Sequence, residues 1–393
     1  MKVFEKIRNL AEKDFNEYLD AEKQKGRKII GYFCSYVPEE ILHAAGFVPY
    51  RMRAVGSGST ARGDVYFASL NCTFVRHCFS KALEGDFAFL EGVVFMNGCD
   101  HTRRMYDNWR HARLAPSYLH MFTAPHLINP LALDHFEGEL QKFKKSLEDH
   151  FGLIITPESL IESMQVYNRK RALLAEISSI RKDPAVPIKG SEFLALMLAV
   201  TAQPVEEAVT LLEEVREACR GRRTAREGDL RIFLSAGCVE EISHLELIEE
   251  CGGAVVADNL CMGSRHYDAL TDASQPPLRA LAERYLTHLS CPRMMNDFRR
   301  RLKYMADVRE GYAVDAVIAE KLKFCDLWGG EIFLYRQESK KRDFPLLTLE
   351  RELYGGGTGQ IRTRLQAFFE QIRNRRTIAG DPVRSDSSNE VRH

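Results

Sequence analysis

No Cys-x-x-Cys pair occurs anywhere in these 393 residues. That removes the zinc ribbon, the thioredoxin-like redox motif and the local cluster loop of a ferredoxin. Charge of one sign is also missing: 55 Lys+Arg stand against 55 Asp+Glu, so the chain lacks the basic excess of a nucleic-acid binder. No apolar run approaches the roughly 20 residues that a membrane-spanning helix needs. The opening residues, Met1 to Leu10, are charged and helix-like, without the apolar stretch and small-residue cleavage site of a secretory leader. Cytoplasm is the expected compartment. A GxxxxGK[ST] phosphate loop is absent too, which argues against a nucleotide-hydrolysing role. Two tryptophans and a polar end to the chain complete the list of scarcities.

What the chain does have is ten cysteines. Without a leader they read as free thiols or metal ligands rather than disulfides. With no short-range pairing, any metal site has to be assembled from distant segments.

The length exceeds one ordinary core. Residues 1–28 read as a charged amphipathic helix on Phe4, Ile7, Leu10, Phe15 and Leu19. Residues 29–134 read as a first α/β domain, with strands at Ile29–Phe33, Phe47–Met52, Gly92–Met96 and Tyr118–Thr123. Residues 135–228 read as a helical segment. Residues 229–377 read as a second α/β domain, with strands near 230–236, 254–257, 314–319 and 345–349. Residues 378–393 are polar and expected to be disordered. Strands alternating with helices predict parallel sheets covered on both faces.

In such sheets, sites form where strand ends turn into helices. Cys34 follows the first strand, Cys99 follows Val93–Met96, and Cys261 and Cys325 follow strands of the second domain. Cys72 opens a predicted helix, where the positive end of the helix dipole favours a thiolate. By position alone, these cysteines are as compatible with buried core residues as with a metal site.

Six segments carry a resemblance. Gly31-Tyr32-Phe33-Cys34-Ser35-Tyr36-Val37-Pro38-Glu39-Glu40 leads into Ala44-Ala45-Gly46-Phe47-Val48-Pro49. Leu70-Asn71-Cys72 and Asn97-Gly98-Cys99-Asp100 follow, then Glu250-Cys251-Gly252-Gly253-Ala254 through Asn259-Leu260-Cys261-Met262-Gly263-Ser264-Arg265. Phe324-Cys325-Asp326 and Gly359-Gln360-Ile361-Arg362-Thr363-Arg364 close the series. In this order, from about residue 29 to 375, they resemble the 2-hydroxyacyl-CoA dehydratase and benzoyl-CoA reductase family.

The resemblance implies two Rossmann-like (flavodoxin-like) parallel-sheet domains around one [4Fe–4S] cluster, with Cys72, Cys99 and Cys325 as ligands. Cys34 is a further cofactor-side candidate, and Ser35 and Tyr36 are implied to line the substrate site. It also implies an acyl-CoA substrate, one-electron chemistry, a homologous second subunit and a separate ATP-dependent iron–sulfur activator protein. His101 to Trp109 is closer to the reductase branch. Arg103, Arg104 and Arg265 are candidates for CoA phosphates, with surface solvation as the simpler reading. Glu39 and Glu40 suit the start of a helix. Cys219, Cys238, Cys251 and Cys291 read as structural. Two other functions remain open: a double-cubane reductase that also uses Cys34, Cys78 and Cys261, and a non-catalytic structural or electron-carrying subunit.

Overall fold

The computed structural model describes residues 2–379. Two short helices, α1 (Lys2–Ala11) and α2 (Glu17–Gln24), lead into β1 (Ile29–Tyr32). The first sheet continues through α3 (Glu39–Ala44), β2 (Val48–Arg51), α4 (Ala61–Asp64), α5 (Thr73–Glu84), β3 (Gly92–Met96), α6 (Asp100–His111) and β4 (Tyr118–Phe122). Four helices follow: α7 (Pro130–Phe151), α8 (Pro157–Ile180), α9 (Gly190–Val200) and α10 (Val205–Ala218). The second sheet then builds from β5 (Leu230–Ala236), α11 (Ile242–Glu250), β6 (Gly253–Asn259), α12 (Ser264–Tyr267), α13 (Pro277–Thr287) and α14 (Phe298–Gly311). It ends with β7 (Ala316–Leu322), α15 (Asp326–Arg342), β8 (Leu346–Arg351) and α16 (Thr358–Ala379).

Both sheets are wholly parallel, and both repeat one order. The first runs β2-β1-β3-β4 and the second β6-β5-β7-β8. The inner strands are buried on both faces, which is why they read in sequence as unbroken apolar runs such as Val93-Val94-Phe95-Met96. The expected doubly covered α/β architecture is therefore present twice.

The helices between the sheets are shared out rather than set apart. Phe136, Leu140, Phe143 and Leu147 of α7 join the core on one face of the first sheet, together with Leu281 and Tyr285 of α13. Nearly all of α9 is buried in the core of the second sheet, with Ile7 and Leu10 of α1 against it. Hence the first helix of the chain packs on the second lobe, and α13, late in the chain, packs on the first.

The N-terminal reading needs correction: 1–28 forms two helices, not one. Asn16 breaks it, because its side chain accepts from the backbone N–H groups of Tyr18 and Leu19 and starts α2 afresh. The intervening turn places Asp14 against Lys81 at 2.8 Å and under the Tyr50 hydroxyl at 2.8 Å, which a continuous helix would not do. At the other end α16 runs to Ala379, so 378 and 379 are helical; the remainder of the expected polar tail lies outside the described residues.

Candidate functional site

In each sheet the connections leave the first and third strands toward opposite sides, and a crevice opens at their carboxyl ends. Cysteines occupy that edge in both lobes. Cys34 lies just past β1, in a left-handed backbone conformation (φ 82°) that a non-glycine residue adopts only at a cost. Cys99 lies past β3, Cys238 past β5, Cys261 past β6 and Cys325 past β7.

Cys72, Cys99 and Cys325 share a feature that the sequence suggests for one of them alone. Each is the N-cap residue of a helix: Cys72 of α5, Cys99 of α6 and Cys325 of α15. None of the three spends its side chain on capping, so the thiols are left beside the free N–H groups of the first turn. Cys72 and Cys99 come from the first lobe and Cys325 from the second, yet Cys72 feels the charge of both others and Cys325 that of Cys99. The three are therefore electrostatic neighbours across the two lobes. Burial, and then the neighbouring Cys99 thiol, pushes the Cys72 thiol well up; burial pushes Cys325 up to about 11. Cys72 and Cys325 would each have to give up a proton to bind a metal.

Their surroundings are ordered. The Cys72 backbone N–H donates to Nδ1 of His101 at 3.3 Å. Thr102 Oγ1 stands 3.1 Å from Cys99 Sγ and donates to the Cys99 carbonyl at 3.0 Å. The lobes are stitched together alongside: the Leu353 N–H donates to Thr73 Oγ1 at 2.8 Å, and His77 Nε2 meets the Leu353 carbonyl at 3.0 Å. Among the described residues no three His, Cys, Asp or Glu side chains close on a single metal ion.

A second sulfur group lies next to the first. Cys34 and Cys291 each feel Cys261, and Cys291 feels Cys34. Cys325 also feels Cys261, so the two groups adjoin. Cys291, expected to be structural, lies in the α13–α14 connection beside this group, its sulfur accepting the Arg293 N–H at 3.4 Å. No strand precedes it, so the strand-end rule could not single it out. Cys78 is fully buried in the same core cluster as Cys72, whose charge it also feels. Cys238 is half-buried, with Glu240 Oε2 3.8 Å from its sulfur.

Ser35 and Tyr36 are both buried in the loop after β1. The Tyr36 ring stands edge-on to His288, centroids 4.5 Å apart, and beneath the Arg293 guanidinium at 4.7 Å. Arg265 overturns the surface-solvation reading. It is buried rather than solvated, and is held by Asn259 Oδ1 at 3.0 Å, the Ala236 carbonyl at 2.8 Å and Cys261 Sγ at 3.1 Å. Arg103 and Arg104 do remain exposed on α6. Glu39 and Glu40 start α3 as expected, but they are buried: Glu39 pairs with Lys170 at 3.1 Å and Glu40 with Arg171 at 2.6 Å.

Paired parallel α/β lobes of identical strand order, with cysteines past the strand ends of both, define a class of two-lobed α/β proteins. Comparison with known proteins gives the family. The pattern of the 2-hydroxyglutaryl-CoA dehydratase D-component family matches residues 34–372, and the chain belongs to that family of enzyme subunits. It is similar to a benzoyl-CoA reductase subunit of Thauera aromatica, 24% identical over 90% of this chain and 92% of that one. It is similar to the (R)-phenyllactyl-CoA dehydratase beta subunit of Clostridium sporogenes, 23% identical over 94% and 99% of the two chains. The beta subunit of (R)-2-hydroxyglutaryl-CoA dehydratase from Acidaminococcus fermentans is 23% identical over 89% and 94%.

Proposed function

We propose that this chain is the iron–sulfur subunit of a low-potential acyl-CoA enzyme, either a benzoyl-CoA-type reductase or a 2-hydroxyacyl-CoA dehydratase, with a [4Fe–4S] cluster on Cys72, Cys99 and Cys325. The observation that carries this is that three electrostatically coupled cysteines from two lobes are each the N-cap of a helix. Three neighbouring thiols that do not form a site for a single ion suit a cluster in which each ligand meets a different iron. Such a cluster supplies a single electron at low potential and an iron open to a substrate oxygen.

The chain's own residues have definable parts in this. The three helix starts turn positive dipole ends toward the thiolates and lower the cost of their charge. His101 and Thr102 fix the backbone of Cys72 and Cys99. Ser35 and Tyr36, buried beside Cys34, line the substrate side. The relatives named as subunits of larger enzymes support a homologous partner chain, and the absence of a phosphate loop is consistent with a separate ATP-dependent activator. Among the described residues no helix is long and apolar enough to cross a membrane.

A second reading draws on the adjoining sulfur group: Cys34, Cys261 and Cys291 as ligands of a second cubane. Counting iron separates the two. Anaerobic purification with the partner chain is expected to give about four irons per chain, lost in each of Cys72→Ala, Cys99→Ala and Cys325→Ala and retained in Cys78→Ala. About eight irons would favour the double cubane. An iron-free, folded protein would sink both. A non-catalytic subunit would keep the complex fully active after Ser35→Ala.

A further inference from the structure

Leu353 belongs to the second lobe by chain and to the first by burial. It lies past the end of β8, whose ladder with β7 stops at Arg351, so its main-chain groups fall beyond the sheet. Its side chain is buried in the core of the first sheet, together with Leu322 at the end of β7 and with Cys72. A main chain carried into another lobe's core must have its N–H and C=O satisfied there.

Thr73 and His77 satisfy both. The Leu353 N–H donates to Thr73 Oγ1 at 2.8 Å, and His77 Nε2 lies 3.0 Å from the Leu353 carbonyl. A carbonyl can only accept, so Nε2 carries the ring proton, and Nδ1 is left to accept from the Ser57 hydroxyl at 2.7 Å. Burial favours this neutral form of the ring. The two residues stand one turn apart on the same face of α5, both buried, on the helix whose N-cap is Cys72. Tyr354 then turns the chain away in a left-handed conformation (φ 51°), its N–H on Glu241 Oε1 at 2.8 Å and its ring edge-on to His77.

The bonds continue to Cys325. The Arg351 carbonyl accepts from the Lys323 N–H at 2.8 Å, and the Leu322 carbonyl accepts from the Cys325 N–H at 3.1 Å. An unbroken path of main chain and hydrogen bonds thus runs from Cys72 and Thr73 to Leu353, back to Arg351, across to Lys323 and on to Cys325. Cys99 is tied to Cys72 within the first lobe instead, through His101, which accepts the Cys72 N–H at 3.3 Å.

We propose that Thr73 and His77 are positioning residues: by holding the two main-chain groups of Leu353 they set Cys72 against Cys325 across the lobe seam. Burial of Leu322 and Leu353 draws the lobes together without direction, whereas hydrogen bonds have a preferred angle and length and so fix the register. The consequence for iron rests on the cluster reading above; the clasp itself rests on these contacts alone.

The test uses the reduced, metal-free full-length chain and dibromobimane, which joins two thiols only where they lie a few ångströms apart. Joined peptides are counted by mass spectrometry. The Cys72–Cys99 product reports on the first lobe alone, and the Cys72–Cys325 product on the seam. Thr73→Val and His77→Leu are each expected to lower the ratio of the second product to the first about five-fold. Thr73→Ser and His77→Gln, which keep the acceptor and the donor, are expected to restore it. An unchanged ratio in both Thr73→Val and His77→Leu overturns the assignment, as does a wild type that gives no Cys72–Cys325 product. Equal loss of both products through a loosened or lost fold overturns it too, since a merely structural role predicts that. Iron content after anaerobic purification with the partner chain is expected to follow the ratio, and normal iron in both Thr73→Val and His77→Leu would overturn the positioning role. An iron-free wild type whose ratio still responds would sink the cluster reading and leave the clasp standing.

Discussion

The Glu40 carboxylate lies 2.6 Å from the Arg171 guanidinium, and both are closed off from water. The Tyr285 hydroxyl adds a 2.7 Å bond to the same carboxylate. Beside them Glu39 is held well below the usual carboxylate range by Lys170 and His266, against the upward push of burial. This buried polar layer ties α3 to α8, α12 and α13, and α3 carries the loop of Cys34, Ser35 and Tyr36.

Breaking the pair by Glu40→Ala leaves Arg171 unmatched and is expected to cost about 3–5 kcal/mol of stability. Glu40→Leu combined with Arg171→Met removes both charges and is expected to recover most of it. Urea unfolding of the three proteins measures this; an Ala variant within about 0.5 kcal/mol of wild type would show the pair to be energetically silent.

Gly237, between β5 and Cys238, has no room for a side chain. An added Cβ would sit 2.8 Å from Trp328 Nε1 and 3.0 Å from its Cδ1. Trp328 is in the first turn of α15, and its backbone N–H faces the Cys325 thiol. Gly237→Ala is expected to cost about 1–3 kcal/mol through overpacking and to lower the iron retained per chain, because the helix start that presents Cys325 must shift. Unfolding midpoints and iron content together check it; normal iron with lowered stability would show that the helix start does not move.

Acid is expected to weaken the fold from about pH 6.5 downward. Burial holds His77, His101 and His288 below the ordinary imidazole value, and His120 and His266 down to about 4. Below pH ~6.5 the unfolded chain protonates these groups and the folded one does not, so the unfolded state binds more protons and stability falls with pH. Each contributes up to about 1.4 kcal/mol per pH unit within its window. Glu240 opposes them: burial pushes its carboxyl up to about 7, so the folded state holds that proton while the unfolded state loses it. Glu249 and Asp268 are raised by burial as well. The histidines outnumber the opposing carboxyls, and Glu240→Gln is expected to steepen the acid loss. Unfolding midpoints measured between pH 5 and 7 decide it; a flat or rising profile toward acid would contradict the balance.

Much of the fold is legible in the sequence because the physics that forms it is local. Ile29–Tyr32, Gly92–Met96 and Leu230–Ala236 are buried on both faces of their sheets, and strands in that position are mainly apolar, Arg231 and Ser235 being the polar exceptions here. The cysteines after strand ends are legible for the same reason, since the ends of such runs mark the crevice. The break at Asn16 is not, because the apolar spacing of Ile7, Leu10, Phe15 and Leu19 suits one helix nearly as well as two; the side-chain cap decides it.

The amino-acid sequence by itself determined the strands, the parallel architecture and the family, all of which follow from periodicity or from ordered segments. Only the tertiary structure decided which cysteines meet. Cys72 is an electrostatic neighbour of Cys99 and of Cys325 from the other sheet, and Cys291 of Cys34 and Cys261, a grouping across the two sheets that sequence spacing does not contain. It also decided the fate of the charges. A buried arginine and a solvated one are the same letter, and the difference between Arg103 on the surface and Arg265 beneath Cys261 lies in what packs around them.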